Sequence, residues 1–168
     1  MPRHLYGLWG RGGSWSASLR PASTEYRTVD ANAADSIGTL LWEAYRGTID
    51  YRDETLEEMK TEAREFFDAK YGPPLLDACL VREVDGRMVA AALLCDWNES
   101  DAVVSGPLVA YALVHPDFRG RGHGIAVVNA ALVRLAAAKW GRVYAVITEG
   151  NVPSQELFAR LGFTRLPM

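Results

Sequence analysis

His115-Pro116-Asp117-Phe118-Arg119-Gly120-Arg121-Gly122-His123-Gly124, running on into Ile125-Ala126-Val127-Val128, decides how the rest of the chain is read. Before it lies an apolar run, Leu108 to Val114, with the length and content of a buried strand. After it comes a segment with helical apolar spacing. Three glycines therefore sit at a strand-to-helix junction, among Arg119, Arg121 and His123. A helix N-terminus leaves about four backbone N–H groups unpaired and carries a partial positive charge. Where no Cβ shields those groups a ligand can approach closely, so the junction reads as an anion site.

The pattern is not a nucleotide P-loop, because no Gly-Lys-Ser/Thr follows the spacing. Nor is it the dinucleotide fingerprint, whose third glycine would have to fall at Ile125. A second marked stretch lies downstream: Asn151-Val152-Pro153-Ser154-Gln155-Glu156-Leu157-Phe158-Ala159-Arg160-Leu161-Gly162-Phe163. Asn151 can cap a helix that carries proline in its first turn and closes at Gly162.

Taken together, R-x-x-G-x-G (Arg119, Gly122, Gly124) and N-x-x-S-x-x-L-F-x-x-x-G-F (from Asn151) resemble the GNAT superfamily of N-acetyltransferases. The two motifs stand in the family's order, separated by a helix and a strand, and span about residues 108–163. The resemblance implies an α/β (α+β) fold, a mixed, mostly antiparallel central sheet flanked by about four helices. It implies acetyl-CoA as cosubstrate, with no metal, and direct transfer to a primary amine of a small molecule or peptide. By residue, the backbone of Leu113 and Val114 would pair with pantetheine as an added strand. Arg119, Gly120, Arg121, Gly122, His123, Gly124 and Ile125 would hold the pyrophosphate. Asn151 and Ser154 would bond the cofactor, and Phe158 would pack beside its thiol end. A non-catalytic acyl-CoA-binding or sensor domain is the alternative.

Two departures from the family stand out. It often carries a tyrosine, proposed to protonate the leaving thiolate, where this chain has Phe158. It also continues through two further strands, whereas here five residues follow Phe163. The last strand must be missing, very short, or supplied by the N-terminal extension or by another subunit of a homodimer.

At 168 residues the chain is expected to hold one domain over 24–168, preceded by an extension, 1–23, rich in glycine, serine and tryptophan. Within and after that extension, Ser14 to Leu19 and Glu25 to Val29 alternate as short strands would. Asp30 to Gly47 reads as a helix with an Ile37, Leu40, Leu41, Ala44, Tyr45 stripe. Thr55-x-x-Glu58 opens a second, strongly acidic helix as a capping box. Its acidity is a solvated face or a means of steering a cationic substrate. Ala78 to Val84 and Arg87 to Trp97 form a hairpin turning at Asp85-Gly86. That turn sets Cys79 opposite Ala92 and leaves Cys95 about 10 Å further along, beyond disulfide reach.

Net charge of −3 argues against a general nucleic-acid binder. No apolar run approaches the ~20 residues of a membrane span, so neither partner is expected. With no apolar leader after Met1, the expected compartment is the cytoplasm. For proton removal from the amine, Glu149 at a strand end and Tyr111 on the central strand are the candidates. Glu43 and Asp96 lie further off in the chain's expected layout.

Overall fold

The computed structural model describes residues 1–10, 25–98 and 104–167. Its centre is β4 (Arg87–Trp97), in which Val89 to Cys95 are all at most 1% exposed. Such continuous burial needs cover on both faces, and the helices supply it. α1 (Ala34–Tyr45) and α2 (Leu56–Phe67) pack one face through Ile37, Leu40, Leu41, Met59, Ala63 and Phe66. α3 (His123–Ala137) and α4 (Val152–Arg160) pack the other through Val127, Val128, Leu132, Leu135 and Phe158. The periodic stripes read from the sequence are these buried faces. The capping box is present too: Thr55 Oγ1 accepts from Glu58 N–H at 3.2 Å and Glu58 Oε2 from Thr55 N–H at 2.7 Å.

Among the described residues the sheet has seven strands, ordered β2-β3-β4-β5-β6-β1-β7. They are β1 (Arg3–Trp9), β2 (Tyr26–Thr28), β3 (Leu80–Val84), β5 (Gly106–Val114), β6 (Arg142–Thr148) and β7 (Thr164–Arg165), with β4 as above. Only β5 and β6 run parallel; every other pair is antiparallel. The fold class is the mixed, mostly antiparallel one expected.

Residues 3–9 of the expected extension form a strand of the sheet: Arg3–Trp9 pairs with all of β6, Arg3 opposite Thr148 through Trp9 opposite Arg142. The other side of β1 carries β7, Tyr6 opposite Arg165 and Gly7 opposite Thr164. β1 thus stands between β6 and β7. Its alternation is masked by Gly7 and His4, so no clean period shows. The expected strand at Ser14 to Leu19 lies outside the described residues, while Tyr26–Thr28 covers the opposite edge of the sheet.

The sheet corrects the expected place of Cys79. The turn is as read, with positive φ at Asp85 (51°) and Gly86 (75°). A bulge at Arg82/Glu83 then shifts the register by one, so Leu80, not Cys79, faces Ala92. Both cysteines are free and buried, and burial lifts the Cys79 thiol pKa to about 11. No helix among the described residues is long and apolar enough to cross a membrane.

Candidate active site

The site begins where two strands part. β5 pairs with β6 only at Leu108–Tyr144 and Val109–Ala145, although both strands run on. At that point the β4–β5 register shifts: Leu93 faces Tyr111 but Leu94 faces Val109, leaving Ala110 as an extra residue. An inserted residue bends its strand and sharpens the local twist. Past the bulge, β5 stays with β4 while β6 follows β1, and the main chain of residues 110–114 borders a gap.

The gap opens into a groove of about 1310 Å³ that passes between α1–α2 on one side and α3–α4 on the other. Its far end is the N-terminus of α3. Gly122 caps that helix in the left-handed region (φ 80°), and Gly120 shares the conformation (φ 74°). A Cβ placed on either would meet nothing within 4 Å, so both face open space rather than neighbouring protein. The loop's potential is positive. The His123 pKa is pushed below its ordinary value by burial first, then by the charges of Arg82 and Arg121.

Tyr111, Val114, Arg119, Gly120, Gly122, His123, Gly124, Ile125, Asn151, Ser154 and Phe158 all line this groove. Three expected site residues do not. Leu113 turns its side chain into the α1–α2 core, so only its backbone borders the gap. Arg121 stands over the Phe118 ring, 5.5 Å from its centroid. Glu149 is 57% exposed and faces His4 Nε2 at 3.8 Å. Glu149 follows the last residue of β6 and is not among the residues that line the groove.

Several side chains that do line the groove are already engaged within the chain. Arg119 Nη2 donates to Ala44 O at the end of α1, 2.6 Å. Asn151 Oδ1 accepts from Ser154 N–H (3.2 Å) while its Nδ2 donates to Asp50 Oδ2 (2.6 Å). The end of α1 is thus tied to the glycine loop, and the segment that follows it to the start of α4.

On the groove floor, Glu62 Oε1 accepts from the hydroxyls of Tyr71 (2.7 Å) and Tyr111, and its Oε2 pairs with Lys70 at 2.6 Å. Burial opposes the Glu62 charge, but the Lys70, Tyr111 and Tyr71 hydrogen bonds hold its pKa below the ordinary value. Burial, then Glu62, pushes the Tyr111 pKa far up. A hydroxyl so held is a donor and not a base. Phe158 is 5% exposed and sits edge-to-face with Phe163, centroids 5.0 Å apart.

The description "Acetyltransferase (GNAT) family" fits residues 35–163 of the chain. The chain belongs to the GNAT acetyltransferase family. An uncharacterized N-acetyltransferase of Methanocaldococcus jannaschii is 32% identical over 140 residues, 82% of this GNAT chain. The chain spans 59% of the length of that curated relative. Among solved structures, a ribosomal-protein-alanine N-acetyltransferase from Brucella melitensis biovar Abortus 2308 is 15% identical, with TM-score 0.60 over 82% of this chain and 91% of that one. The enzyme AAC(6')-Iy, solved with the bisubstrate analog CoA-S-monomethyl-acetylneamine, is 16% identical, with TM-score 0.59 over 85% and 92%. These two likenesses show the GNAT fold.

Sequence reasoning missed the wall made by Arg3, Tyr45, Asp50 and Thr148. Its members come from β1, α1, a loop and β6, and no local pattern joins them.

Proposed function

We propose that this chain is an acetyl-CoA-dependent N-acetyltransferase acting directly on a primary amine of a small molecule or peptide, with its transferase unit extending over residues 24–168 and completed by β1. The observation that carries the reading is the parting of β5 from β6 above a glycine-opened helix N-terminus. An extended thioester arm fits such a gap, because it finds unpaired main chain along one side and unpaired helix N–H groups at its end. The site residues fit the cosubstrate on this chain's own geometry: Gly120 and Gly122 leave open the space that a Cβ would fill.

When bound, acetyl-CoA supplies an acyl group on a leaving thiol whose ordinary pKa is about 8.5. The Val114 main chain would polarise the carbonyl, and the α3 N-terminus with His123 and Ile125 would neutralise the diphosphate. Ser154 and Phe158 would flank the arm. Arg119 and Asn151 act differently, gripping Ala44 and Asp50 and so fixing the acceptor side relative to the cradle. With Phe158 unable to donate a proton, the thiolate is released to solvent-borne protons, which its low basicity allows. The amine in turn gives its proton to groove water, since Glu149 points away and Tyr111 is committed to Glu62.

The test pairs binding with turnover. Acetyl-CoA at 100 times its dissociation constant should stabilise the fold by ~2.7 kcal/mol. Thiol release from acetyl-CoA should then depend on added amine, with the acetylated amine seen by mass spectrometry. Stabilisation without thiol release across an amine panel would establish an acyl-CoA-binding domain in its place.

A further inference from the structure

The acceptor end of the groove holds polar groups that the chain itself leaves unused. Thr148 is only 5% exposed, yet among the described residues its hydroxyl has no hydrogen-bond partner, and it lines the groove. That hydroxyl opens on the groove, where a ligand can bond to it. Directly opposite Thr148 in the β1–β6 ladder is Arg3, whose side chain emerges on the same face. The Arg3 guanidinium makes no ion pair among the described residues. A third donor is the Tyr45 hydroxyl, also without a hydrogen-bond partner there, close enough to Arg3 and Asp50 to feel both charges.

Guanidinium, hydroxyl and phenol lining one groove offer donors suited to the two oxygens of a carboxylate. Asp50 adds the opposite charge beside them. Its Oδ2 holds Asn151, while its other oxygen has no partner among the described residues. The position is also informative. Continuing the parallel register from Val109–Ala145 sets Thr148 across the gap from Ala112 and Leu113, level with the main chain that borders the acyl arm. A carboxylate held there stands only a few atoms from the reacting nitrogen. Beside it the wall turns apolar, with Leu41, Met59, Trp97 and Val146.

Resting on the N-acetyltransferase reading above, we infer that the acceptor is a free α-amino acid with an apolar side chain, its carboxylate bound by Arg3, Thr148 and Tyr45 and its ammonium received beside Asp50. Arg3 and Thr148 then select the acceptor; they do not take part in acyl transfer. The selecting arginine is delivered by β1, the strand inserted beside β6.

The experiment measures thiol release with acetyl-CoA for matched pairs: L-phenylalanine against 2-phenylethylamine, and L-leucine against 3-methylbutylamine. The parent protein should favour each amino acid over its carboxylate-free counterpart. Arg3→Gln should raise KM for the amino acids by about 10- to 100-fold, the range expected for a lost charge-assisted hydrogen bond, while kcat and acetyl-CoA affinity hold. It should leave 2-phenylethylamine unaffected, and Arg3→Lys should restore part of the loss. Thr148→Val, which keeps the side chain's shape, should act in the same direction by a smaller factor. Equal use of both members of each pair by the parent, or equal losses on both members in Arg3→Gln, overturns the inference. If no amine is acetylated although acetyl-CoA still stabilises the fold, the N-acetyltransferase reading fails, and calorimetry with L-phenylalanine and L-leucine decides the subsite. Saturable binding that Arg3→Gln removes upholds it, and absence of binding overturns it.

Discussion

The two walls of the groove are built on opposite plans. The cradle wall, β5 through α3, is continuous in sequence: strand, turn, glycines and helix follow within residues 106–137. The acceptor wall sets Arg3 beside Thr148 and brings Tyr45 and Asp50 over from another layer. In the reading proposed above, one wall would bind through main chain that glycine leaves bare, the other through side chains positioned by tertiary contacts. The two walls share few residues, so each can be changed without the other.

Removing β1 should break this contrast most severely. Deleting residues 1–10 takes out a strand paired on both sides, removes the buried Leu5 (8% exposed) and bares the facing edges of β6 and β7. The loss should approach the whole ~5–15 kcal/mol stability of a domain, seen as disappearance of a cooperative melt. A truncated chain that keeps its melting temperature would show that β1 only decorates the sheet.

Next in size is the cradle. Gly122→Val forces a β-branched residue into φ 80°, costing about 1–2 kcal/mol, and fills the space facing the groove. The ~2.7 kcal/mol shift expected from saturating acetyl-CoA should vanish. Gly86→Val, with similar strain at φ 75° in the hairpin turn, is the control and should keep that shift.

Glu62→Gln sharpens the comparison on the acceptor side. It leaves Lys70 without one of its carboxylates and weakens the acceptor of two tyrosine hydroxyls, at a cost of about 1–3 kcal/mol. The Glu62 pKa is held below 4.5 in the folded protein. Its contribution is therefore complete above that value and is lost as pH falls through the folded pKa. Acid melts should show the variant less sensitive than the parent below about pH 4.5. The smallest effect belongs to Glu149→Gln, expected within ±0.5 kcal/mol and silent in turnover. A large drop in kcat there would return the base role to that carboxylate.

Legibility followed the same division. The capping box, the Asp85-Gly86 turn, the Asn151 cap and the glycine loop were readable because each is a local conformational demand met by particular residue types. Cys79 was misplaced by one position because a bulge leaves no mark in composition. Glu149 was expected in the groove because chain order alone does not fix which way a strand-end side chain turns. β1 was hidden for a plainer reason: a strand beside β6 looks like an extension until its partner, about 140 residues away, is known.

That distance also constrains how the molecule comes into being. The first strand leaves the ribosome long before β6 and β7, its partners in the sheet among the described residues. Until they emerge it must be kept from pairing with the exposed edges of other strands or of other chains. Closing a loop of that length is slow, although the entropy it costs grows only as the logarithm of length. Assembly of the sheet therefore places β1 late, and with it the wall that carries Arg3 and Thr148.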